Sequence, residues 1–252
     1  MNLVADIGNT RAKIGVFEDE NLIANLAIEK DSDTKALETF LQPFGDVQQI
    51  IISSVGNKET GISSLYPDVP IIELTSKTPL PIELSYDTPA TLGADRIAIA
   101  VGANNRFRNE NVLVVDVGTC ITFDFIGNKN EYGGGSISPG KDLRFKALNN
   151  YTEKLPLIKA EIPLAQVELQ GKSTHKSILT GVMRGIFNEV LGLIRQYIEQ
   201  TPDIKIVLTG GDYPYFEKGL IGSFQSKKNL IFADPYLALV GLNVILNFNA
   251  NR

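Results

Sequence analysis

The sequence predicts an α/β protein built from two duplicated lobes, each a mixed β-sheet with flanking helices. A short pattern, D-x-G-[NT], occurs at Asp6 and again at Asp116, and each copy is followed by a strand, a turn and another strand. A repeat at this spacing indicates a duplicated domain, because turn chemistry alone does not require the same residues twice. The chain has 252 residues, 43% of them hydrophobic, which is enough for two cores.

The first lobe is predicted to span residues 1–110. Short apolar segments separated by polar turns predict an antiparallel meander of three strands. Apolar runs predict two further strands, and helical spacing of apolar residues predicts two helices. In chain order these elements are the strands 3–5, 12–17 and 22–28, a helix over 34–44, the strands 50–55 and 70–74, and a helix over 92–106.

The second lobe is predicted to span residues 111–252. The glycine-dense segment 133–140 has the composition of flexible loops that cover substrates. A last helix is predicted to begin with Asp234 as N-cap and Pro235 at the first helical position. The sequence leaves open whether this helix packs back on the first lobe. The other elements are the strands 112–115 and 121–125, a strand from Tyr132, a helix over about 177–200 and the strand 204–208.

Composition excludes several classes of partner. Lys and Arg total 24 against 29 Asp and Glu, and the net charge of −5 argues against a nucleic-acid partner. The one cysteine, Cys120, permits no intrachain disulfide, which fits a reducing compartment. The longest apolar stretch, 231–248, is interrupted by Asp234 and Pro235 and is too short to span a bilayer. We therefore expect a cytoplasmic protein without a membrane or nucleic-acid partner.

The first copy of the repeated pattern has the composition of an anion-binding turn. Gly8 permits a close backbone approach, and successive N–H groups in such a turn converge on one point. The Thr10 hydroxyl can donate to a phosphate oxygen, and Lys13 adds a positive charge. Because the Asp6 carboxylate would repel phosphate, it implies an intervening Mg²⁺ or its waters. An ordinary β-turn explains one copy of the pattern better than it explains two.

The second copy supplies another carboxylate, Asp116, and another hydroxyl, Thr119. A lone carboxylate that faces a phosphate site across a cleft suits a cation, and the threonine suits a phosphate contact. Further along, the strand 204–208 is followed by Thr209-Gly210-Gly211-Asp212. Paired glycines at a strand end let a flat group such as a nucleotide base approach, but a tight turn explains them equally well.

Asp95 and Arg96 stand near the start of the helix predicted over 92–106. A carboxylate at this place is commonly a partner of the helix dipole. It can also be the general base that a kinase acting on an alcohol needs, with the arginine as a clamp for a polar or anionic substrate. The residues alone leave both interpretations open.

Five motifs follow one another along the chain: Asp6-Ile7-Gly8-Asn9-Thr10-Arg11-Ala12-Lys13, Tyr86-x-x-Pro89-x-x-Leu92-Gly93-Ala94-Asp95-Arg96, Asp116-Val117-Gly118-Thr119, Gly134-Gly135-Ser136-Ile137-Ser138-Pro139-Gly140 and Leu208-Thr209-Gly210-Gly211-Asp212. Their order and spacing resemble type III pantothenate kinase, in the actin-like/sugar-kinase/Hsp70-ATPase superfamily, along nearly the whole chain. The Gly-Ala-Asp-Arg element separates this family from the rest of the superfamily. The resemblance implies two ribonuclease-H-like lobes, as in actin-like ATPases.

The resemblance also implies an activity, the in-line transfer of a phosphoryl group from Mg-ATP to pantothenate, the first step of coenzyme A biosynthesis. It implies that Asp95 is the general base, that Asp116 binds K⁺ or NH₄⁺, and that Thr174 reaches the substrate of the neighbouring subunit in a homodimer. The implied ATP contacts are Asp6, Ile7, Gly8, Asn9, Thr10, Arg11, Ala12, Lys13 and Thr119, and the implied pantothenate contacts are Tyr86, Gly93, Ala94, Asp95, Arg96 and Thr174.

Alternatives stay open at this point. A non-catalytic, nucleotide-binding transcriptional regulator with the same fold would not need the Asp95 carboxylate, which this chain has. A kinase for another small alcohol, such as an acylated polyol, would use the same machinery. For Thr174 the structural alternative is a helix N-cap, a position that Ser173 or Thr174 would fit.

Overall fold

A computed structural model of the chain describes residues 1–29, 34–54, 61–225 and 230–250. The strands are β1 (Asn2–Ile7), β2 (Arg11–Glu18), β3 (Asn21–Glu29), β4 (Gln49–Ser54), β5 (Ile71–Glu73), β6 (Glu83–Leu84), β7 (Val112–Val117), β8 (Cys120–Gly127), β9 (Glu131–Pro139), β10 (Lys205–Thr209) and β11 (Ile231–Ala233). The helices are α1 (Thr34–Leu41), α2 (Ile62–Leu65), α3 (Ala94–Arg106), α4 (Lys141–Asn150), α5 (Thr174–Gln200), α6 (Glu217–Ser223) and α7 (Leu237–Ala250). Val55, at the end of the fourth predicted strand, lies outside the described residues.

The chain divides into two compact units. Unit 1 contains Met1–Asn109, Lys129–Gly133 and Tyr236–Arg252, and unit 2 contains Glu110–Asn128 and Gly134–Pro235. The last helix, α7, therefore belongs to unit 1 although it ends the chain.

Unit 1 is organised around a mixed sheet with the strand order β3-β2-β1-β4-β5. β1, β2 and β3 form the predicted antiparallel meander, and β4 and β5 extend the sheet in parallel from the other side of β1. Helices α3 and α7 cross at close range, since a Cβ on Gly241 would lie 1.8 Å from the carbonyl oxygen of Ala98. Glycine at the crossing thus lets the apolar α7 bury itself against α3.

Unit 2 repeats this arrangement. Its strands lie in the order β11-β10-β7-β8-β9 within a six-stranded sheet, in which β7 and β8 are antiparallel and β10 lies parallel to β7. The two repeated aspartates hold equivalent places, because Asp6 pairs with Ser53 on β4 and Asp116 pairs with Thr209 on β10. The predicted fold class, two mixed sheets with flanking helices, is confirmed.

The prediction of a loop over the glycine-dense segment 133–140 is wrong. β9 continues through this segment to Pro139, and α4 follows. A Cβ on Gly135 would lie 1.6 Å from the carbonyl oxygen of Phe123 on β8. The glycine there serves a close backbone approach between strands rather than flexibility.

The predicted start of the last helix is also wrong. The N–H of Asp234 donates to the carbonyl oxygen of Leu208 at 2.9 Å, which extends the pairing of β10 with β11. α7 begins at Leu237, and its first turn is closed by the N–H of Val240 bonding to the carbonyl of Tyr236. Strand pairing therefore overrides the local Asp-Pro cap signal.

The 27-residue helix α5 is, within the described part of the chain, the one helix whose length and composition would allow it to cross a membrane. Its apolar face has another explanation in the structure. The side chains on that face are buried in the core of unit 2, namely Ile178, Val182, Met183, Ile186, Val190 and Ile194. The helix thus contributes an apolar face to that core.

Candidate functional site

The first D-x-G-[NT] copy forms the turn Gly8–Thr10 between β1 and β2, called the first turn below. The N–H of Gly8 donates to the carbonyl oxygen of Arg11 at 3.0 Å, which closes it. The side chains of Asn9, Thr10 and Arg11 are exposed. The first turn therefore offers polar side chains and backbone amides to an anion.

Some of the residues that flank the first turn are buried in the core, and others belong to the candidate site. Ile7 is buried in the core of unit 1 and Ala12 packs against the same core, so both can offer only backbone to a ligand. Lys13 is half-buried and lies directly opposite Asp6 in the pairing of β1 with β2. Asp6 and Lys13 are consequently the charged pair at the base of the turn.

Asp6 is in an environment that disfavours its charged form. Its Oδ1 is buried and has no hydrogen-bond partner among the described residues. Burial, with a further contribution from the negative charge of Asp95, raises the pKa of Asp6 to about 6, and Lys13 and Ser53 offset only part of this shift. A bound Mg²⁺ or its waters would compensate the remaining cost of burying the charged carboxylate, because divalent cations prefer carboxylate oxygens.

We expect Asp6→Asn to stabilise the ligand-free protein at neutral pH. Folding raises the pKa of Asp6 from 3.8 to about 6, so the contribution of its carboxyl is fully present below about pH 4 and is lost as the pH rises through 6. Above pH 6 the free energy of unfolding is lower by about 3 kcal/mol than below pH 4, at about 1.4 kcal/mol per pKa unit. The variant, which lacks this titration, should unfold at a higher temperature than the parent at pH 7.5 and at a similar one at pH 4.

Thermal unfolding without added metal or ligand measures this difference. Asp19→Asn is the matched control, because Asp19 is exposed and its positive φ of 53° is one that asparagine adopts readily. An Asp6→Asn protein that is less stable than the parent at pH 7.5 would contradict the desolvation argument.

Asp95 lies in the first turn of α3. Its Oδ1 accepts the N–H of Arg96 at 2.8 Å, which holds the carboxylate at the helix start. A Cβ on Gly93 would lie 2.4 Å from the same oxygen, so glycine at this position makes room for the carboxylate. Contact with the helix start and a role as base are compatible, because the bond to Arg96 orients the carboxylate without neutralising it.

Tyr86 and Arg96 meet at a third side chain, Tyr132. The guanidinium carbon of Arg96 lies 5.9 Å from the centre of the Tyr132 ring, and the rings of Tyr86 and Tyr132 are 5.8 Å apart. Arg96 and Tyr132 are buried, and Tyr86 is half-buried. Sequence reasoning missed Tyr132 as a site residue, since it is the second residue of β9 in the second repeat and yet belongs to unit 1.

The second D-x-G-[NT] copy has the same local geometry. The N–H of Gly118 donates to the carbonyl oxygen of Cys120 at 3.0 Å, and Thr119 is exposed at the tip. We call Val117–Thr119 the second turn. Asp116, half-buried, is the second-to-last residue of β7, as Asp6 is of β1.

The Thr209–Asp212 segment packs on the second turn. Gly210 has a φ of 95°, and a Cβ there would lie 2.3 Å from Oδ1 of Asp116. The N–H of Asp212 donates to the carbonyl oxygen of Val117 at 2.8 Å. Over the described ranges, no group of three or more His, Cys, Asp or Glu side chains is placed to hold a metal ion. A cation at Asp116 stays a prediction that rests on one carboxylate.

Thr174 begins α5, and Ser173 is the N-cap, because its Oγ accepts the N–H of Lys176 at 3.2 Å. The N-cap alternative therefore accounts for Ser173 and not for Thr174. Thr174 is exposed and lines a mainly apolar cavity of about 770 Å³ between α4 and α5. Of the predicted site residues, Thr174 alone lines this cavity.

Comparison with known proteins identifies close relatives. A family profile described as type III pantothenate kinase matches residues 2–196. The chain is 39% identical over 254 residues to a Bacteroides fragilis protein named type III pantothenate kinase, with 100% of both chains covered. It is 43% identical over 249 residues to a protein of the same name from Cytophaga hutchinsonii, with 99% of this chain and 100% of the relative covered.

Solved structures share the fold at low sequence identity. The activator of the 2-hydroxyisocaproyl-CoA dehydratase from Clostridium difficile, with bound ADPNP, has a TM-score of 0.56 and 14% identity, over 99% of this chain and 95% of that one. Component A of the (R)-2-hydroxyglutaryl-CoA dehydratase from Acidaminococcus fermentans has a TM-score of 0.55 and 14% identity, over 100% and 99%. The fold is that of the actin-like ATPases and sugar kinases.

Proposed function

Because this chain belongs to the type III pantothenate kinase family, we infer that it phosphorylates pantothenate to 4′-phosphopantothenate with ATP, in coenzyme A biosynthesis. Relatives of that name match it along its whole length. The structural observation that carries the inference is a pair of carboxylates in unit 1, the buried Asp6, whose Oδ1 has no hydrogen-bond partner among the described residues, and Asp95, held by the N–H of Arg96. One carboxylate suits the cation of a nucleotide, and the other suits the proton of an alcohol.

We assign the role of general base to Asp95. Its carboxylate is oriented by the N–H of Arg96 at 2.8 Å, so that it can hold the primary hydroxyl of pantothenate in one direction. The hydroxyl oxygen attacks the γ-phosphorus, the bond to the β-phosphate oxygen breaks, and the hydroxyl proton passes to Asp95. The product is the phosphate ester, with ADP as leaving group.

The nucleotide contacts are assigned to the first turn and its flanks. The backbone amides of Gly8–Thr10 and the Thr10 hydroxyl suit phosphate oxygens, and Lys13 supplies a positive charge. Asp6 would hold Mg²⁺ through its buried oxygen or through waters, and Mg²⁺ neutralises charge on the phosphates when bound. Thr119 of the second turn is assigned as a further ATP contact.

The pantothenate contacts are assigned to Tyr86 and to Gly93, Ala94, Asp95 and Arg96. Pantothenate carries a carboxylate, which suits a guanidinium group. Stacking on Tyr132 limits the directions in which Arg96 can point, and the Tyr86 ring packs on the same residue. Tyr132 would thereby position both contacts.

A coupled assay of ADP release tests the function. We expect release that requires pantothenate and is faster with K⁺ or NH₄⁺ than with Na⁺. Turnover with another small alcohol but not with pantothenate would contradict the substrate. Nucleotide binding without turnover would favour the regulator, which nothing in the comparisons supports.

Asp116→Ala tests the monovalent cation in the same assay. We expect the variant to lose most of the activation by K⁺, about tenfold, which corresponds to about 1.4 kcal/mol of charge stabilisation. Its unfolding temperature should change little, because Asp116 is a half-buried residue at a turn and not part of the core. A variant with the K⁺ response of the parent would remove Asp116 from the cation role.

We further propose a homodimer in which Thr174 serves the site of the other subunit. The cavity that it lines is mainly apolar. The segment between α4 and α5 exposes large apolar side chains, with Tyr151 88%, Leu157 51% and Leu169 79% exposed. Such side chains favour burial against a second copy. We propose a cytoplasmic location, without nucleic-acid or membrane partners.

A further inference from the structure

Lys141, the first residue of α4, is a buried lysine outside the motifs of the site. Its side chain is 8% exposed, and burial of an ammonium group is costly unless charged partners compensate it. Its Nζ lies 3.0 Å from Oδ1 of Asp142, 3.4 Å from Oδ1 of Asp212 and 5.4 Å from the centre of the Tyr215 ring. Although burial lowers the pKa of Lys141, the two carboxylates raise it overall, so the side chain is charged.

The two segments that Lys141 joins both contact the second turn. The N–H of Gly140, the residue before Lys141, donates to the carbonyl oxygen of Thr119 at 3.0 Å. On the other side, the N–H of Asp212 donates to the carbonyl oxygen of Val117 at 2.8 Å. The ion pair of Lys141 with Asp212 therefore closes a ring of contacts around this turn.

We propose that Lys141 is a positioning residue for the nucleotide. It fixes the second turn between its two flanking segments, and it offsets the negative charge of Asp212 beside the place where Thr119 would meet phosphate. This inference rests on the proposed function, which assigns Thr119 to the ATP site. Without Lys141, the Asp212 carboxylate would lose the compensating charge of this ammonium group and would repel a polyphosphate more strongly, and the start of α4 would lose its ion pair with Asp212.

Lys141→Met removes the charge and keeps most of the side-chain length. We expect the KM for ATP to rise about tenfold and the KM for pantothenate to change less than about twofold, because the effect is local and electrostatic. The rise should be larger at low than at high ionic strength, because salt screens the repulsion from Asp212. Lys141→Arg, which keeps the charge, should behave nearly as the parent.

Two variants of Asp212 separate charge from structure. Asp212→Asn added to Lys141→Met should recover most of the ATP affinity, because it removes the negative charge that Lys141 would otherwise offset. If Lys141 served stability alone, Lys141→Met would lower the unfolding temperature but would leave the KM for ATP and its salt dependence as in the parent. Asp212→Asn would then have no ATP affinity to restore. If Lys141→Met fails to fold, Asp212→Asn alone decides: ATP binding as tight as in the parent or tighter supports the proposal, and binding about tenfold weaker overturns it.

The parent protein is measured first, by calorimetric ATP binding and by pantothenate-dependent turnover. A parent with neither property would overturn the proposed function itself. A parent with both, together with an unchanged KM for ATP in Lys141→Met, would leave the function intact and overturn the role of Lys141.

Discussion

Asp95→Asn is expected to lower kcat by about 10²-fold or more, as the loss of a positioned base commonly does. Asparagine has the same shape, and its oxygen can still accept the N–H of Arg96 that Asp95 accepts at 2.8 Å, so the start of α3 should not change. The amide cannot take up the hydroxyl proton. Because the charge of Asp95 contributes to the raised pKa of Asp6, its removal eases the ionisation of Asp6, and binding of Mg-ATP should not weaken.

The measurements are kcat at saturating pantothenate and the Kd of ATP by calorimetry. Asp68→Asn makes the same chemical change at an exposed position of unit 1 and should leave both values as they are. Near-parental turnover of Asp95→Asn would exclude Asp95 as the base. A loss of ATP binding in step with kcat would instead indicate a role in the nucleotide site.

Mixing Asp95→Asn with Thr174→Ala is expected to restore activity above the mean of the two variants. Half of the dimers in an equal mixture are heterodimers. If Thr174 serves the partner's site, each heterodimer contains one site with both residues intact. About a quarter of all sites would then be complete. Loss of the Thr174 hydroxyl bond should itself lower activity about tenfold. The activity of the mixture should therefore exceed the mean activity of the two separate variants by about fivefold.

Subunit exchange has to be verified, with light scattering for the dimer and two different affinity tags to isolate the heterodimer. Ser173→Ala replaces Thr174→Ala in the matched control, because Ser173 caps α5 through Lys176 and has no assigned contact with substrate. That mixture should reach no more than the mean of its components. Verified heterodimers without recovery in the Thr174 mixture would mean that Thr174 and Asp95 act within one chain.

The predicted strands agree with the observed ones wherever local signals act together. The meander at the start of the chain and its repetition after residue 111 have apolar alternation, short polar turns and the same D-x-G-[NT] pattern. Each of these signals acts within a few residues, so the sequence alone is enough to recognise them. The start of α7 was missed because a local signal, the Asp234-Pro235 pair, competes with a strand pairing to Leu208 that is distant in sequence.

The residues of the candidate site show the same contrast between local signals and contacts distant in sequence. Asp6, Asp95 and Asp116 were predicted as site residues because each stands in a short motif with its own turn or helix start. Tyr132 and Lys141 were not found, because what singles them out is contact with residues elsewhere in the chain, Arg96 in one case and Asp212 in the other. A lone tyrosine or lysine in a sequence carries no sign of burial.

By itself the sequence determined the duplicated α/β fold and the family, and it predicted three carboxylates as site residues, because repeats, turn chemistry and motif spacing are local properties of the chain. Only the tertiary structure decided that Asp6 is desolvated within range of Asp95, that the Thr209–Asp212 segment packs on the second turn, and that Thr174 lies on a cavity. Burial and the distances between charges arise when segments far apart in sequence pack together, and a pKa depends on both.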